Sequence, residues 1–202
     1  KSGDLLPFTV TVQETDLYIL AHTRLEDEAL RSILNHRYQL ETYLREHPSF
    51  LHAFAPLPPD PHAPPIVRGM LQAAERAGVG PMAAVAGAFA EEVGKDLLRQ
   101  TPQVVVENGG DLYISVTRDI RIGIYAGASP LSNRLALLIP FGKTPLGVCT
   151  SSGTVGHSVS FGRADAVTIS APSAFLADAA ATAVGNCVTR EDDIQRGLDR
   201  AR

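Results

Sequence analysis

Several classes of protein are excluded by what this 202-residue chain lacks. It has no run of Lys or Arg and a formal net charge of −4, so nucleic acid is not an expected partner. Its longest apolar run, residues 81–90, is about half as long as a membrane span. No apolar stretch follows the first residues, so a secretory signal is not expected. Two cysteines do not make a disulfide framework, and a cytoplasmic protein is the simplest interpretation.

The pattern of hydrophobic residues changes along the chain from helical to strand-like. After two β-rich runs, helical spacing predicts helices over residues 26–46, 65–77 and 81–99. In the second half the period becomes two, which predicts an antiparallel meander of strands, followed by an alanine-rich helix from about residue 174. This order of elements predicts an α+β fold, in a single domain that covers residues 1–202.

One segment is too rich in proline for regular structure. Residues 55–65 contain six prolines, which exclude both a helix interior and a central strand. We therefore expect a stiff crossing on the surface, with Pro65 close to the start of the next helix.

A single carboxylate interrupts the alanine-rich helix. Between Ala174 and Val184 the only polar companion of Asp178 is Thr182, which lies one turn away on the same face. A buried, unpaired carboxylate is costly, so it must be neutralised, find a partner or bind a metal. Asp and Thr oxygens suit Mg²⁺ better than Zn²⁺. The residue types leave three alternatives open: a metal site, N–H bonds from a neighbouring loop, or an Arg partner.

Two further segments concentrate small and polar residues at strand ends. Residues 107–111 contain Asn-Gly-Gly-Asp, which is first a hairpin signal and, as an alternative, a source of N–H groups for a ligand. Residues 149–157 supply many hydroxyl and N–H donors for a phosphate. A Cys149 or Ser152 nucleophile with His157 is a further interpretation, which no sequence signature supports.

Taken together, these segments resemble the ApbE-type flavin transferases. Three motifs occur in the order of that family: the Gly-Gly-Asp turn of residues 109–111, the Thr-Ser-Ser-Gly loop of 150–153 with the following His157, and the Ala-Asp-Ala-Ala-Ala-Thr helix of 177–182. The chain is most similar to a small, uncharacterised ApbE-like family, with further hallmarks at residues 79–87 and 161–165. The resemblance covers nearly the whole chain and implies an ApbE-like (T-fold-like) domain of antiparallel sheet and packed helices.

The resemblance also implies roles for individual residues. The transferases use Mg²⁺ to split FAD and attach FMN to Thr or Ser of a target protein, and the metal would lie at Asp178 and Thr182. FAD, FMN or another nucleotide would lie near a set of polar and glycine residues: Asn108, Gly109, Gly110, Asp111, Thr150, Ser151, Ser152, Gly153, Thr154 and His157. His157 and Asp111 are the candidates for a catalytic role.

The chain departs from the transferases at two elements. Ala86 stands where their Gly-Gly-x-x-Lys-Gly-Tyr element has Lys, and the residues after His157 lack their Asp-Pro. Two functions therefore stay open. One is Mg-dependent binding or processing of a flavin or other nucleotide, with transferase-like or pyrophosphatase-like chemistry. The other is a non-catalytic ligand-binding or assembly module that has lost transferase activity, and a homodimer is compatible with either.

Overall fold

An antiparallel sheet forms the centre of the protein in the computed structural model, which describes residues 5–155 and 160–202. The sheet has six strands in the order β1-β2-β3-β4-β7-β8, and β5 pairs with β6 in a separate two-stranded sheet. In chain order the strands are β1 (Leu6–Val12), β2 (Thr15–Ala21), β3 (Val104–Asn108), β4 (Asp111–Ser115), β5 (Ile120–Gly123), β6 (Ala136–Ile139), β7 (Leu146–Ser151) and β8 (Val167–Ala171). The expected antiparallel sheet with packed helices is confirmed.

The helices largely follow the predicted periodicity. They are α1 (Glu26–Glu46), α2 (Ser49–His52), α3 (Pro65–Ala77), α4 (Val85–Leu97), α5 (Ala174–Cys187) and α6 (Ile194–Arg200). A 3-10 turn at Pro81–Ala84 leads into α4, so the helix predicted over 81–99 is divided. Among the described residues, no helix is long and apolar enough to cross a membrane.

Local signals explain where α3 begins and ends. Residues 55–64 form neither helix nor strand, and Pro65 is the first helical residue. Proline suits this position because the first N–H of a helix has no intrahelical partner. Gly78 ends the helix in a left-handed conformation, with φ of 72°, and its N–H donates to the Ala74 carbonyl.

Helices cover one face of the main sheet. Neighbouring residues on a strand point to opposite faces, and Val104 and Val106 accordingly pack with α1, α4 and the start of α5. A second helical core lies beyond this layer, where α3 packs on α4 and α5, and α2 packs beside the 3-10 turn that precedes α4. Helix α5 is therefore enclosed on two sides, and Asp178, Thr182 and Asn186 lie on its remaining, half-buried face.

The prediction of a continuous meander is wrong at β5. Strand β4 pairs with β7, and the β5–β6 hairpin lies between them in sequence but outside the main sheet. Ile120 and Ile122 of β5 pack against Val105 and Ile114 on the face of the main sheet that lacks helices. That apolar face must be covered, and an alternating pattern does not distinguish a hairpin that covers a sheet from one that extends it.

Candidate functional site

Four elements meet at the candidate site: the β3–β4 turn, the end of β7, the start of α4 and the middle of α5. The Asn108 side-chain amide donates a 3.1 Å hydrogen bond to the carbonyl of Ala86, which joins the turn to α4. The backbone N–H of Thr150 donates a 3.2 Å bond to Oδ1 of Asp111, which joins the turn to β7. These two bonds bring the turn, the start of α4 and the end of β7 together.

Asp178 receives its partner from α4. The backbone N–H of Gly87 donates a 2.9 Å bond to Asp178 Oδ2. No Lys, Arg or His within residues 5–155 and 160–202 forms an ion pair with this carboxylate. Of the alternatives left open by the sequence, the structure contains the N–H partner. This hydrogen bond leaves Asp178 able to bind a metal as well, because a carboxylate has several acceptor positions.

Close approach of α4 and α5 depends on Gly87. A Cβ atom at this position would lie 2.3 Å from the carbonyl oxygen of Ala174 and 2.9 Å from Cβ of Asp178. Such distances do not occur between non-bonded atoms in folded proteins, so any larger side chain here would push the helices apart. The small residues of this segment thus bring Asp178 against the start of α4.

A second carboxylate, Glu91, holds the start of α5. Its Oε2 accepts a bond from the backbone N–H of Ala174 and another from the Ser173 hydroxyl, at 2.6 Å and 2.8 Å. Its Oε1 pairs with Lys95 at 2.8 Å. Glu91 is a residue that the sequence reasoning missed. No local signal separates it from the neighbouring Glu92, because both belong to the charged pattern of one helix.

Burial dominates the electrostatics of Asp111. It raises the pKa of this carboxyl from 3.8 to about 7, and the charge of Glu107 adds to that increase. The Cys149 thiol and the Thr150 N–H lower the pKa through hydrogen bonds. Asp111 therefore titrates near neutral pH in the absence of a cation.

The pKa of the Asp178 carboxyl is raised as well. Burial raises its pKa well above the ordinary range, and the charge of Asp111 raises it further. The N–H groups of Gly87 and Ala86 act in the opposite direction. Two neighbouring carboxyls that both resist ionisation are a common feature of functional sites, and they form a place where a cation would be bound favourably.

Cys149 is a buried neighbour of both carboxyls. It is fully buried, and its single S–H can donate either to the Ala174 carbonyl, 3.5 Å away, or to the Asp111 carboxyl. Burial raises its pKa well above the ordinary value, and the charges of Asp111 and Asp178 raise it further. The thiol stays protonated at neutral pH, which disfavours Cys149 as a nucleophile.

The donors near Asp178 fit Mg²⁺. Thr182 is half-buried on the same face of α5, and its hydroxyl has no hydrogen-bond partner among the described residues. In the same part of the chain, no three His, Cys, Asp or Glu side chains are arranged to hold a metal. Mg²⁺ commonly uses one or two carboxylates together with water and a ligand phosphate, so Asp178, Thr182 and the neighbouring Asp111 match its chemistry.

The Gly-Gly turn presents an open surface beside these groups. Gly109 and Gly110 have φ of 62° and 105°, which glycine adopts without strain. Asn108 pairs with Asp111 across the hairpin. A Cβ atom on either glycine would meet nothing within 4 Å. The turn is therefore a hairpin connection, and a ligand can approach its backbone.

The loop after β7 uses many of its donors internally. The Ser152 hydroxyl accepts the N–H groups of Thr154 and Val155, at 3.1 Å and 2.9 Å. The Gly153 N–H donates to Ala164, and the hydroxyls of Thr150 and Thr154 bond Thr168 and Asp165. These hydrogen bonds order the loop. The backbone N–H groups of Gly153, Thr154 and Val155 are already occupied in this conformation.

The same loop runs beside α5. A Cβ atom on Gly185 would lie 3.5 Å from the Ser151 hydroxyl oxygen. Ser151 therefore faces the helix that carries Asp178 and Thr182. His157, the remaining predicted residue of this loop, lies outside the described residues.

A cavity of about 520 Å³ lies elsewhere, between α3, α4 and the start of α5. Its lining includes Arg68, Lys95 and Phe175. Neither Asp111 nor Asp178 lines it, so it is separate from the carboxyl site.

Known sequences provide close relatives of this chain. The family model described as "AbpE bacteria" matches residues 1–201. A UPF0280 protein of Methanococcus vannielii is 43% identical over 204 residues, which cover 98% of this chain and 83% of the relative. A UPF0280 protein of Methanospirillum hungatei is 46% identical over 191 residues, covering 94% and 77%.

Solved structures share the fold at much lower identity. The flavinyl transferase ApbE of Pseudomonas stutzeri, in its apo form, has a TM-score of 0.63 and 15% identity, with 98% of this chain and 87% of that chain covered. The flavin transferase ApbE of Vibrio cholerae has a TM-score of 0.63 and 13% identity, with 98% and 90% covered. The chain therefore belongs to the family described as "AbpE bacteria", together with the UPF0280 proteins, and has the fold of the ApbE flavin transferases.

Proposed function

We propose that this protein binds a flavin or another nucleotide through Mg²⁺ held at Asp178 and Thr182. The observation that carries this proposal is the pair of neighbouring carboxyls, Asp111 and Asp178, whose pKa values are both raised and which have no cationic partner among the described residues. A divalent cation would favour the charged form of both groups. The relationship to flavin transferases supports a phosphate-bearing flavin as the ligand.

The residues of the site would have separate tasks. Asp178 and Thr182 would hold the metal, which when bound neutralises phosphate charge. The open turn at Gly109 and Gly110 would let the ligand approach the backbone. If the ligand is processed, Asp111 is the candidate for a catalytic role, because it neighbours Asp178 and the Thr150 N–H fixes its carboxylate.

A non-catalytic module is the second candidate, and a specific residue favours it. Ala86 occupies the position that the resemblance equates with a transferase Lys. Its side chain is a methyl group, and its carbonyl is bonded to Asn108. A methyl group supplies no positive charge for a phosphate, so ligand binding without transfer is compatible with this site.

Calorimetry tests the binding proposal. Mg²⁺ and FAD are titrated into the wild type, into Asp178→Ala and into Asp192→Ala, which removes the same charge from an exposed position. We expect binding to the wild type and the Asp192 variant, and loss of binding in the Asp178 variant. If neither Mg²⁺ nor FAD binds to the wild type, the proposal is contradicted.

Mass spectrometry separates the two candidate functions. The protein is incubated with FAD, Mg²⁺ and Thr-containing acceptor proteins, and intact masses and small products are measured. An acceptor with an FMN-sized adduct identifies a transferase, and free FMN with AMP identifies a pyrophosphatase. Binding of FAD without either product supports the non-catalytic module.

A further inference from the structure

Two exposed phenylalanines contact each other at the surface. Phe54 and Phe161 are 69% and 60% exposed. Their ring centroids are 5.5 Å apart, with an interplanar angle of 65°, which is an edge-to-face contact. Single exposed apolar residues are common on proteins. Here, however, two distant segments place aromatic rings together in solvent, and neither ring is used by the core.

Phe161 is attached to the helix that carries Asp178. Its backbone N–H donates a 2.9 Å bond to the side-chain oxygen of Asn186. The next residue, Gly162, lies so close to α5 that a Cβ atom there would be 1.8 Å from the carbonyl oxygen of Gly185. The backbone beside the Phe161 ring is therefore held firmly against the end of α5.

Phe54 is attached to the other wall of the site. A Cβ atom on Gly80 would lie 1.7 Å from the carbonyl oxygen of Ala53, so the chain before Phe54 packs directly on the residue before the 3-10 turn Pro81–Ala84. That turn leads into α4, whose Gly87 N–H bonds Asp178. The aromatic pair consequently connects the chain before the 3-10 turn with the end of α5.

The distance along α5 suits an elongated ligand. Asp178, Thr182 and Asn186 lie four residues apart on one face of the helix, and eight residues of helix span about 12 Å. Asn186 bonds the Phe161 backbone, so the aromatic pair is attached at the opposite end of this stripe from Asp178. A ligand whose phosphate group lies at Asp178 and Thr182 would need about this length to reach the exposed faces of Phe54 and Phe161.

We propose that Phe54 and Phe161 form a stacking platform for the flat heteroaromatic ring of the ligand whose phosphate end lies at Asp178 and Thr182. The inference rests on the proposed function and adds the recognition of the ring, which is an isoalloxazine or a nucleobase. Aromatic faces bind such rings through stacking, with little dependence on ring identity. The platform also gives a role to Phe161, which the carboxyl site leaves without one.

The test compares ligands with and without a flat ring. FAD, FMN, ADP and pyrophosphate are titrated in excess Mg²⁺ into the wild type and into the double variant Phe54→Leu, Phe161→Leu. Leucine keeps apolar bulk, and both positions are exposed, so the variant should fold. We expect its affinity for FAD to fall about tenfold to a hundredfold, with affinity for pyrophosphate unchanged.

Two controls make the experiment specific. Phe141→Leu changes a ring that is 56% exposed on a different part of the chain, and it should bind FAD as the wild type does. Phe161→Tyr keeps an aromatic face and should also retain affinity. A loss shared by FMN and FAD identifies the isoalloxazine as the stacked ring, and a loss shared by ADP and FAD identifies the adenine.

The inference and the proposed function fail in different ways. If the double Leu variant binds FAD as tightly as the wild type, while Asp178→Ala has lost binding, the stacking platform is overturned and the Mg²⁺ site stands. If the wild type binds neither FAD nor pyrophosphate, the proposed function is overturned and the platform with it.

Discussion

Gly87 and Asp178 join two helices through a 2.9 Å hydrogen bond from a backbone N–H to a carboxylate. Four residues further along α4, Glu91 accepts the N–H of Ala174, which lies four residues before Asp178 on α5. Each helix thus supplies a carboxylate to a backbone N–H near the start of the other. Anionic groups are favoured at helix N-termini, so this reciprocal arrangement orients α5 and with it the candidate metal ligand.

Enlarging Gly87 should disturb both stability and the site. In Gly87→Ala the new Cβ would lie 2.3 Å from the Ala174 carbonyl oxygen, and overpacking of this kind costs about 1–3 kcal/mol. Urea denaturation should show this loss, and calorimetry should show weaker binding of Mg²⁺. Gly123→Ala is the matched control, because a Cβ there meets nothing within 4 Å. Equal stability of the two variants would contradict the close packing.

Removing the Glu91 carboxylate should destabilise the protein. Glu91→Ala leaves the buried N–H of Ala174 without its acceptor, and an unsatisfied buried donor costs about 1–3 kcal/mol. Glu92→Ala is the control, since Glu92 shares Lys95 but is more exposed. Exposed ion pairs contribute at most about 1 kcal/mol. Thermal unfolding should therefore distinguish the two substitutions, and an equal loss would show that Glu91 contributes only through Lys95.

The Asp111 carboxyl should make metal-free stability decrease as pH rises. Its pKa is 3.8 ordinarily and about 7 in the folded protein, so the folded state binds more protons between these values. The contribution of Asp111 to the free energy of unfolding therefore falls as pH increases through this window and levels off above about 7. The raised pKa of Asp178 acts with the same sign. In Asp111→Asn, urea midpoints in EDTA should decline less over this range, and an unchanged slope would contradict the assignment.

Mg²⁺ should stabilise the protein more at alkaline than at acidic pH. Binding requires ionised carboxylates and releases the protons that Asp111 and Asp178 carry when metal-free. The increase in Tm caused by excess Mg²⁺ should accordingly be larger at pH about 8 than at pH about 5. Asp178→Ala should remove most of this difference. A Tm increase that does not depend on pH would place the metal elsewhere.

Thr182 provides a test that leaves folding unaffected. Its hydroxyl has no partner among the described residues, so Thr182→Val should change stability by no more than about 0.5 kcal/mol. The same variant should bind Mg²⁺ more weakly, and Thr182→Ser should bind it normally. Normal Mg²⁺ affinity in the Val variant would remove Thr182 from the metal site.

The two thiols should differ in reactivity. Cys149 is fully buried and its pKa is raised, whereas Cys187 is only half-buried. A thiol reagent should modify Cys187 in the native protein and Cys149 only after addition of urea, as read by peptide mass mapping. Rapid labelling of native Cys149 would instead support the hydrolase interpretation.

Elements with strong local signals could be predicted from the sequence alone. Helices α1 and α3 begin and end at the residues that the periodicity predicts, because an apolar stripe, Pro65 and Gly78 act within one or two turns. The Asn-Gly-Gly-Asp hairpin follows from glycine's tolerance of positive φ. The polar stripe on α5 likewise follows from helical spacing alone.

Properties that depend on distant neighbours were decided by the tertiary structure. The sequence does not tell whether the β5–β6 hairpin extends the main sheet or covers it, since both bury one alternating face. It does not separate Glu91 from Glu92, because only the position of α5 makes one a buried acceptor. The sequence by itself determined that an isolated carboxylate needs a partner. Only the packing of α4, β4, β7 and α5 decided that Asp178 bonds Gly87 and neighbours Asp111, because pKa values are set by burial and by charges that are close in space.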